Sequence, residues 1–361
     1  MAINVKDILN QINLNGVIAS YKIEKRDAEM FWDDERNGLK RGDKVVQYNG
    51  FINVQTAENQ FATVNVQRNQ SFFDGELDYT SQALEAMAKE ELDTFYKTKD
   101  ITKTPTIAIY RGIKLVDNYY VKDQELHESI RVDLGFGQIK VGEPEEEPRM
   151  ENTLNLAAYV DDVVPEIVND EETGRAVVKL IVPYTYGSKD KQVIRAMKVN
   201  MVAGQCVDEE GEYDLGADLL EYADEVIGYS YLLIGELNGY LEEEEVKPVD
   251  TGEKRRGFGR RATVNTSRKR FSEFLLTGLD MIRDGDAFEE EDITEALKMR
   301  QSHIAELMKK DEEKQANKTT TKTGRGSFGT KERGTASTNT GASTPAAEGG
   351  RPRRTRERTF S

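Results

Sequence analysis

Eight Lys/Arg and no acid lie between Lys254 and Arg270 (KRRGFGRRATVNTSRKR), in a chain whose formal net charge is −16. Guanidinium groups pair with phosphate oxygens in a fixed fork. At physiological salt, exposed charges separated by more than a Debye length of about 8 Å hardly feel one another. A local cationic patch on an acidic protein can therefore attract a polyanion. Arg255, Arg256, Arg260, Arg261, Arg268, Lys269 and Arg270 surround Phe258, which Gly257 and Gly259 flank. Cations that track phosphates beside a ring that stacks on a base are what single-strand binding uses, each stacked base being worth ~1–3 kcal/mol. The competing reading is charge balance, because Glu242 to Glu245 stand close by in sequence. Arg256-Gly257-Phe258-Gly259 also opens like the ribonucleoprotein motif of RNA-recognition domains, but Arg260 and Thr263 replace the aromatics it requires, so that domain is rejected.

A second candidate pair is Tyr184 and Tyr186, followed by Lys189 and Lys191 in an exposed-looking loop, YGSKDK. Tyr48 and Phe51, Tyr110, and Tyr119–Tyr120 are further aromatics, with Arg111 and Lys114 near some of them. Outward rings beside cations make stacking platforms, whereas inward ones are ordinary strand and core residues. The chain ends RPRRTRERTFS. That basic end reads equally as an electrostatic arm, a solubility appendage or a docking peptide anchored by Phe360.

Catalytic patterns do not accompany these features. The sequence has no GxxxxGK[ST], HExxH or GxSxG. Two histidines, His127 and His303, read as surface residues, and they cannot build a zinc set with the lone Cys206. Acidic pairs such as Asp161–Asp162 are too common to define a metal site. No enzyme activity, cofactor or metal is expected. A single cysteine excludes an internal disulfide, no apolar run reaches membrane-spanning length, and the first residues lack a signal-peptide pattern. The expectation is a soluble cytoplasmic protein with no membrane partner.

The elements that must position these residues read as mainly β with a few helices, of the α+β class. Val45–Gln55 and Ala62–Gln67 are strand-like, the second alternating Ala62, Val64 and Val66 with Thr63, Asn65 and Gln67. A helix over Gln82–Lys97, with Ser81 as N-cap, precedes strands at Thr106–Val116 and Ser129–Val141. The second of these carries an expected β-bulge near Gly135–Gly137. The order then recurs: strands Asn152–Val168, Arg175–Tyr186 and Val193–Val202, a helix Leu215–Ile227, and a strand Tyr229–Leu241. Strands, one helix, then strands twice over is the order of two small barrels of the oligonucleotide/oligosaccharide-binding (OB) type. Arg260–Thr266 and Phe271–Leu276 read as a basic hairpin, and Phe288–Lys310 as a closing helix with an Asp292/Glu295 capping box.

The expected division is an OB-like unit over 1–141, an acidic linker over 142–150 and a second OB-like unit over 151–313 with the hairpin and helix. A disordered basic tail follows over 314–361. That tail holds eleven Lys/Arg and three Glu, a net +8, so the preceding residues carry −24 of the total −16. Its few apolar residues cannot offset the entropy of ordering it.

The segments GRAVVKLIVPYTYG, VIRAMKVNMVAG, YSYLLIGELNGYL, GFGRRATVNTSRKRFSEFLLTGLD and EEEDITEALKMRQSHIAEL resemble those of single-stranded-DNA-binding-like proteins of bacteriophages with OB-type folds, over roughly residues 150–310. The resemblance implies a non-enzymatic protein that coats single-stranded DNA in phage replication or recombination, in the host cytoplasm. Its implied partners are DNA, with RNA left open, phage replication proteins and further copies of the chain. Such proteins often end in an acidic tail with a terminal aromatic; here Phe360 stands among basic residues. A phage structural or assembly protein, whose basic loop and tail grip acidic surfaces of neighbouring copies, is the alternative class.

Overall fold

The computed structural model describes residues 9–30, 33, 40–186, 193–207, 211–245, 266–282 and 287–323. The first half opens with three long strands, β1 (Asn10–Glu29), β2 (Lys44–Ala57) and β3 (Gln60–Asn69). A short hairpin, β4 (Phe72–Phe73) and β5 (Glu76–Leu77), leads into helix α1 (Tyr79–Ala88) and the turn of helix α2 (Phe95–Thr98). Strands β6 (Pro105–Lys122), β7 (Glu125–Asp133) and β8 (Gln138–Pro144) complete this half. The second half has β9 (Glu151–Val168), β10 (Glu171–Tyr186), β11 (Val193–Ala203), and the short pair β12 (Gln205–Val207) and β13 (Glu212–Asp214). Helices α3 (Leu215–Glu221) and α4 (Ala223–Val226) precede β14 (Ser230–Glu245) and β15 (Thr266–Met281), and α5 (Glu290–Thr323) closes the described chain.

The pairings trace two circuits. β1 pairs with β2, β2 with β3, β3 in parallel with β7, β7 with β6, and β6 returns to β1. The second half repeats this: β9 with β10, β10 with β11, β11 in parallel with β15, β15 with β14, and β14 back to β9. A helix stands between the third and fourth strands of each circuit, α1 in the first and α3–α4 in the second. The strands do not form two separate sheets. β1 also pairs with β9 from Asn10↔Leu156 to Asn15↔Glu151, and Gly239 on β14 meets Phe61 on β3. Eleven strands thereby share one sheet, over one apolar core that runs from Ile12 and Ile52 to Leu156, Val178 and Met201.

Local chemistry sets the joints. Asp123 and Gln124 between β6 and β7, and Asn169 and Asp170 between β9 and β10, all have positive φ, the two-residue turn that matches strand twist. Gly50 has φ +148, and a β-carbon there would collide with the Lys22 carbonyl of β1, so glycine is what lets β1 and β2 close up.

Several sequence expectations change. The helix expected over Gln82–Lys97 breaks after Ala88, because Glu90 turns to φ 57; Asp78, not Ser81, caps it, its carboxylate accepting from the Ser81 amide at 2.6 Å. Gly135–Gly137 is not a bulge but a tight turn, closed by the Gly137 amide donating to the Leu134 carbonyl at 2.7 Å. The turn lets β7 and β8 pair with different parts of β6. The expected hairpin over Arg260–Leu276 is, in its described part, one strand laid along β14. The expected linker holds the end of β8 and the stretch 145–150. Helix α5 is described as far as Thr323. The chain divides into Met1–Lys314 and Gln315–Ser361. No helix among the described residues is long and apolar enough to cross a membrane.

Candidate nucleic-acid interface

Alternation along β1, β2 and β3 sends Ile23, Tyr48, Ile52, Val64 and Val66 into the core. The residues between them share the other side, in four cross-strand rows. The register sets Ser20 beside Asn53 and Thr63, Lys22 beside Phe51 and Asn65, Glu24 beside Asn49 and Gln67, and Arg26 beside Gln47 and Asn69. Polar side chains in the middle of a sheet need hydrogen-bond partners, and the residues at the two ends of this face supply them to one another. The Asn53 amide donates to Ser20 Oγ at 2.6 Å and Thr63 Oγ1 donates to Asn53 Oδ1 at 2.7 Å. At the other end Arg26 Nη2 and Asn49 Nδ2 donate to Gln47 Oε1 at 2.9 and 3.0 Å, and Gln47 Nε2 donates to Asn69 Oδ1 at 2.9 Å. Lys22 and Glu24, about two-thirds exposed, pair at 3.0 Å. Half-buried Phe51 lies between the two bonded rows. An aromatic ring framed by fixed amides and two cations is a surface that could stack a base and hydrogen-bond its edge.

The corresponding face of the second circuit is apolar and already occupied. Ile181 on β10 and Ala196 on β11 form a buried cluster with Ile293 and Ala296 of α5, packed by Tyr159, Ile194 and Leu297. The same helix is pinned to the first circuit. Arg300 reaches Asp117 on β6 at 3.3 Å and Glu128 on β7 at 2.7 Å, with its guanidinium 4.8 Å from the Tyr119 ring centre. Tyr119 and His303 share a 2.6 Å hydrogen bond, and the Gln124 amide donates to Asp311 at 3.0 Å. Thus α5 seats across both circuits. Burial raises the Asp117 carboxyl even beside Arg300 and pulls the His303 imidazole below its ordinary range.

The structure describes only some of the candidates read from sequence. Arg255, Arg256, Phe258, Arg260, Arg261, Lys189 and Lys191 lie outside the described residues. Tyr186 ends β10. Tyr184 is half-buried against the core; burial, then the charges of Asp117 and Tyr119, push its hydroxyl up to about 12. On β15, Arg270 stands opposite Leu241, Lys269 opposite Glu242 and Arg268 opposite Glu243. Two of these three cations thus share a register position with a glutamate, and Arg270 shares one with a leucine. Tyr48 is fully buried, the Arg111 guanidinium lies 5.9 Å from the Tyr110 ring centre, and Tyr120 stacks on His127 at 5.0 Å. His303, read as a surface residue, is half-buried in the α5 contact. The amide rows were missed as a site, although the Thr63, Asn65, Gln67 alternation already carried their signal.

The chain is thus a mainly β protein with a few helices, a paired circuit in each half and a long C-terminal helix. Residues 10–310 match the YorF family model, and the chain belongs to the YorF family. No curated protein matches it. Among solved structures, it is similar to a deletion variant of the single-stranded DNA binding protein from Thermus aquaticus, at 14% identity and a TM-score of 0.35, over 79% of this chain and 98% of that one. The wild-type form of that protein gives 14% identity and a TM-score of 0.33, over 78% and 97%.

Proposed function

We propose that this protein is a non-enzymatic binder of single-stranded nucleic acid, DNA in the first instance, built on two OB-type barrels. The observation that carries the reading is the strand order. Each half has a circuit of first, second, third, fifth and fourth strand, with the third and fifth parallel and a helix after the third, and that order supports an OB-type reading. In that fold, oligonucleotides lie on the face of the second and third strands and against the loops after the first and fourth. The first circuit has its amide rows and Phe51 on that face. In the second circuit the connection after the fourth strand is 246–265, which contains Lys254, Arg255, Arg256, Phe258, Arg260 and Arg261. A fold alone does not assign a function; the cationic connection and the ringed polar face are what favour a strand of nucleic acid over another ligand. A role in phage DNA replication or recombination follows from the sequence resemblance.

Binding of this kind is sensitive to salt and tolerant of sequence. Fluorescence anisotropy with labelled single-stranded DNA, duplex DNA and RNA tests it directly. Changing Arg255, Arg256, Arg260 and Arg261 together to Ala is expected to weaken single-strand binding and flatten its salt dependence. An unchanged slope removes the connection from the interface, and absence of binding to any strand removes the function.

A further inference from the structure

Three of the most exposed large hydrophobic residues lie on segments that are tied together beside the end of β3. Phe136 is 85% exposed, Tyr79 83% and Phe73 73%, with Phe72 beside them at 57%. They belong to three pieces of chain held in one place. Phe72 and Phe73 form one arm of the β4–β5 hairpin, Tyr79 opens α1, and Phe136 sits in the turn after β7. Arg68 ties them: its Nη1 donates to the Gly137 carbonyl at 2.9 Å and its Nη2 lies 3.7 Å from Asp78. The Ile139 amide donates to Thr80 Oγ1 at 3.0 Å, closing the turn onto the helix. Gly112 (φ +90) packs against the backbone of the Phe136 turn so closely that a β-carbon there would come within 3.1 Å of the Phe136 carbonyl carbon. These rings are therefore presented on rigid supports. An apolar group of that kind on a protein surface marks an interaction site.

Charge selects the partner. Asp74 and Glu76 are exposed at the hairpin, while Arg68 is spent on Asp78 and on carbonyl oxygens. Arg111, next to Gly112, lies over the Tyr110 ring. A phosphate backbone would be repelled by this hairpin. A peptide that alternates Lys or Arg with apolar side chains would place cations on Asp74, Glu76 and the ring faces, and its apolar groups between the rings. We infer that this aromatic, acidic patch is a docking surface for a cationic, apolar peptide segment of a protein partner, distinct from the strand-binding surfaces proposed above.

The test selects a random-peptide display library on the full chain at physiological salt, then measures the chosen peptides against two variants. One combines Phe73→Ser, Tyr79→Ser and Phe136→Ser; the other combines Asp74→Asn and Glu76→Gln. The expected peptides alternate Lys/Arg with apolar residues and bind the first variant about tenfold more weakly, the loss typical of truncating central aromatic anchors. They also bind the second variant more weakly, while oligonucleotide affinity stays unchanged in both. Selection of no peptides, of acidic peptides, or of peptides indifferent to both variants overturns the inference. Loss of oligonucleotide binding in the ring variant would reassign the patch to nucleic acid. Self-association of the wild-type chain that the ring variant abolishes would reassign it to a second copy.

Discussion

Arg300 of α5 and Asp117 of β6 meet at 3.3 Å with side chains only 6% and 1% exposed, so a buried ion pair fastens the last helix to the first circuit. Removing one member strands the other charge away from water, at a cost of about 3–5 kcal/mol. Arg300→Met is expected to lower stability in denaturant unfolding by that order, and Arg300→Met with Asp117→Leu to recover most of it.

His303 gives the same contact a pH dependence. Burial, then Arg195 and Lys310, hold the imidazole below its ordinary range against the opposing pull of Glu306, and its Nδ1 is bonded to Tyr119. The folded chain therefore takes up this proton less readily than the unfolded chain. The contribution is complete above pH about 6.5, the unfolded value, and is lost as pH falls through the folded one. Unfolding midpoints measured from neutral to mildly acid pH should fall, and fall less in His303→Gln.

Phe51 tests the first circuit as a strand-binding face. Phe51→Leu keeps an apolar group in the row between Lys22 and Asn65 but removes the flat ring. Affinity for single-stranded DNA should drop by about 1–3 kcal/mol, the worth of one stacked base, with an unchanged unfolding midpoint. Equal affinity would place the bases elsewhere.

Gly50→Ala addresses the frame beneath that face. The added carbon would meet the Lys22 carbonyl at a positive φ, a strain of about 1–3 kcal/mol. Thermal unfolding should show the loss, and oligonucleotide affinity should fall with it because the rows of β1 and β2 move apart.

Much of the second half was legible because its strands are nearly continuous apolar runs and its turns fall at Gly or at Asn-Asp. β1 was not. Its alternation of Ile12 and Leu14 dissolves into Val17, Ile18 and Ala19 at a register shift between Ile18 and Ser20, and its charged end looks like a loop. The split of the first helix at Glu90 had no Gly or Pro to announce it. The aromatic candidates divided by a single residue of phase: Tyr48 points inward and Phe51 outward, three positions along one strand, and composition cannot tell them apart. The union of both circuits was hidden for a different reason. It depends on β1 finding β9, and no local pattern encodes a pairing across that distance.

That pairing has a consequence during synthesis. The stretch Asn10–Asn15 is hydrogen-bonded to Glu151–Leu156, so one edge of the first strand has no mate until the ribosome has made the start of the second half. At about 5–20 residues per second, the nascent chain spends on the order of ten seconds with that rim uncovered, a window in which a trigger-type chaperone or a neighbouring nascent chain can reach it.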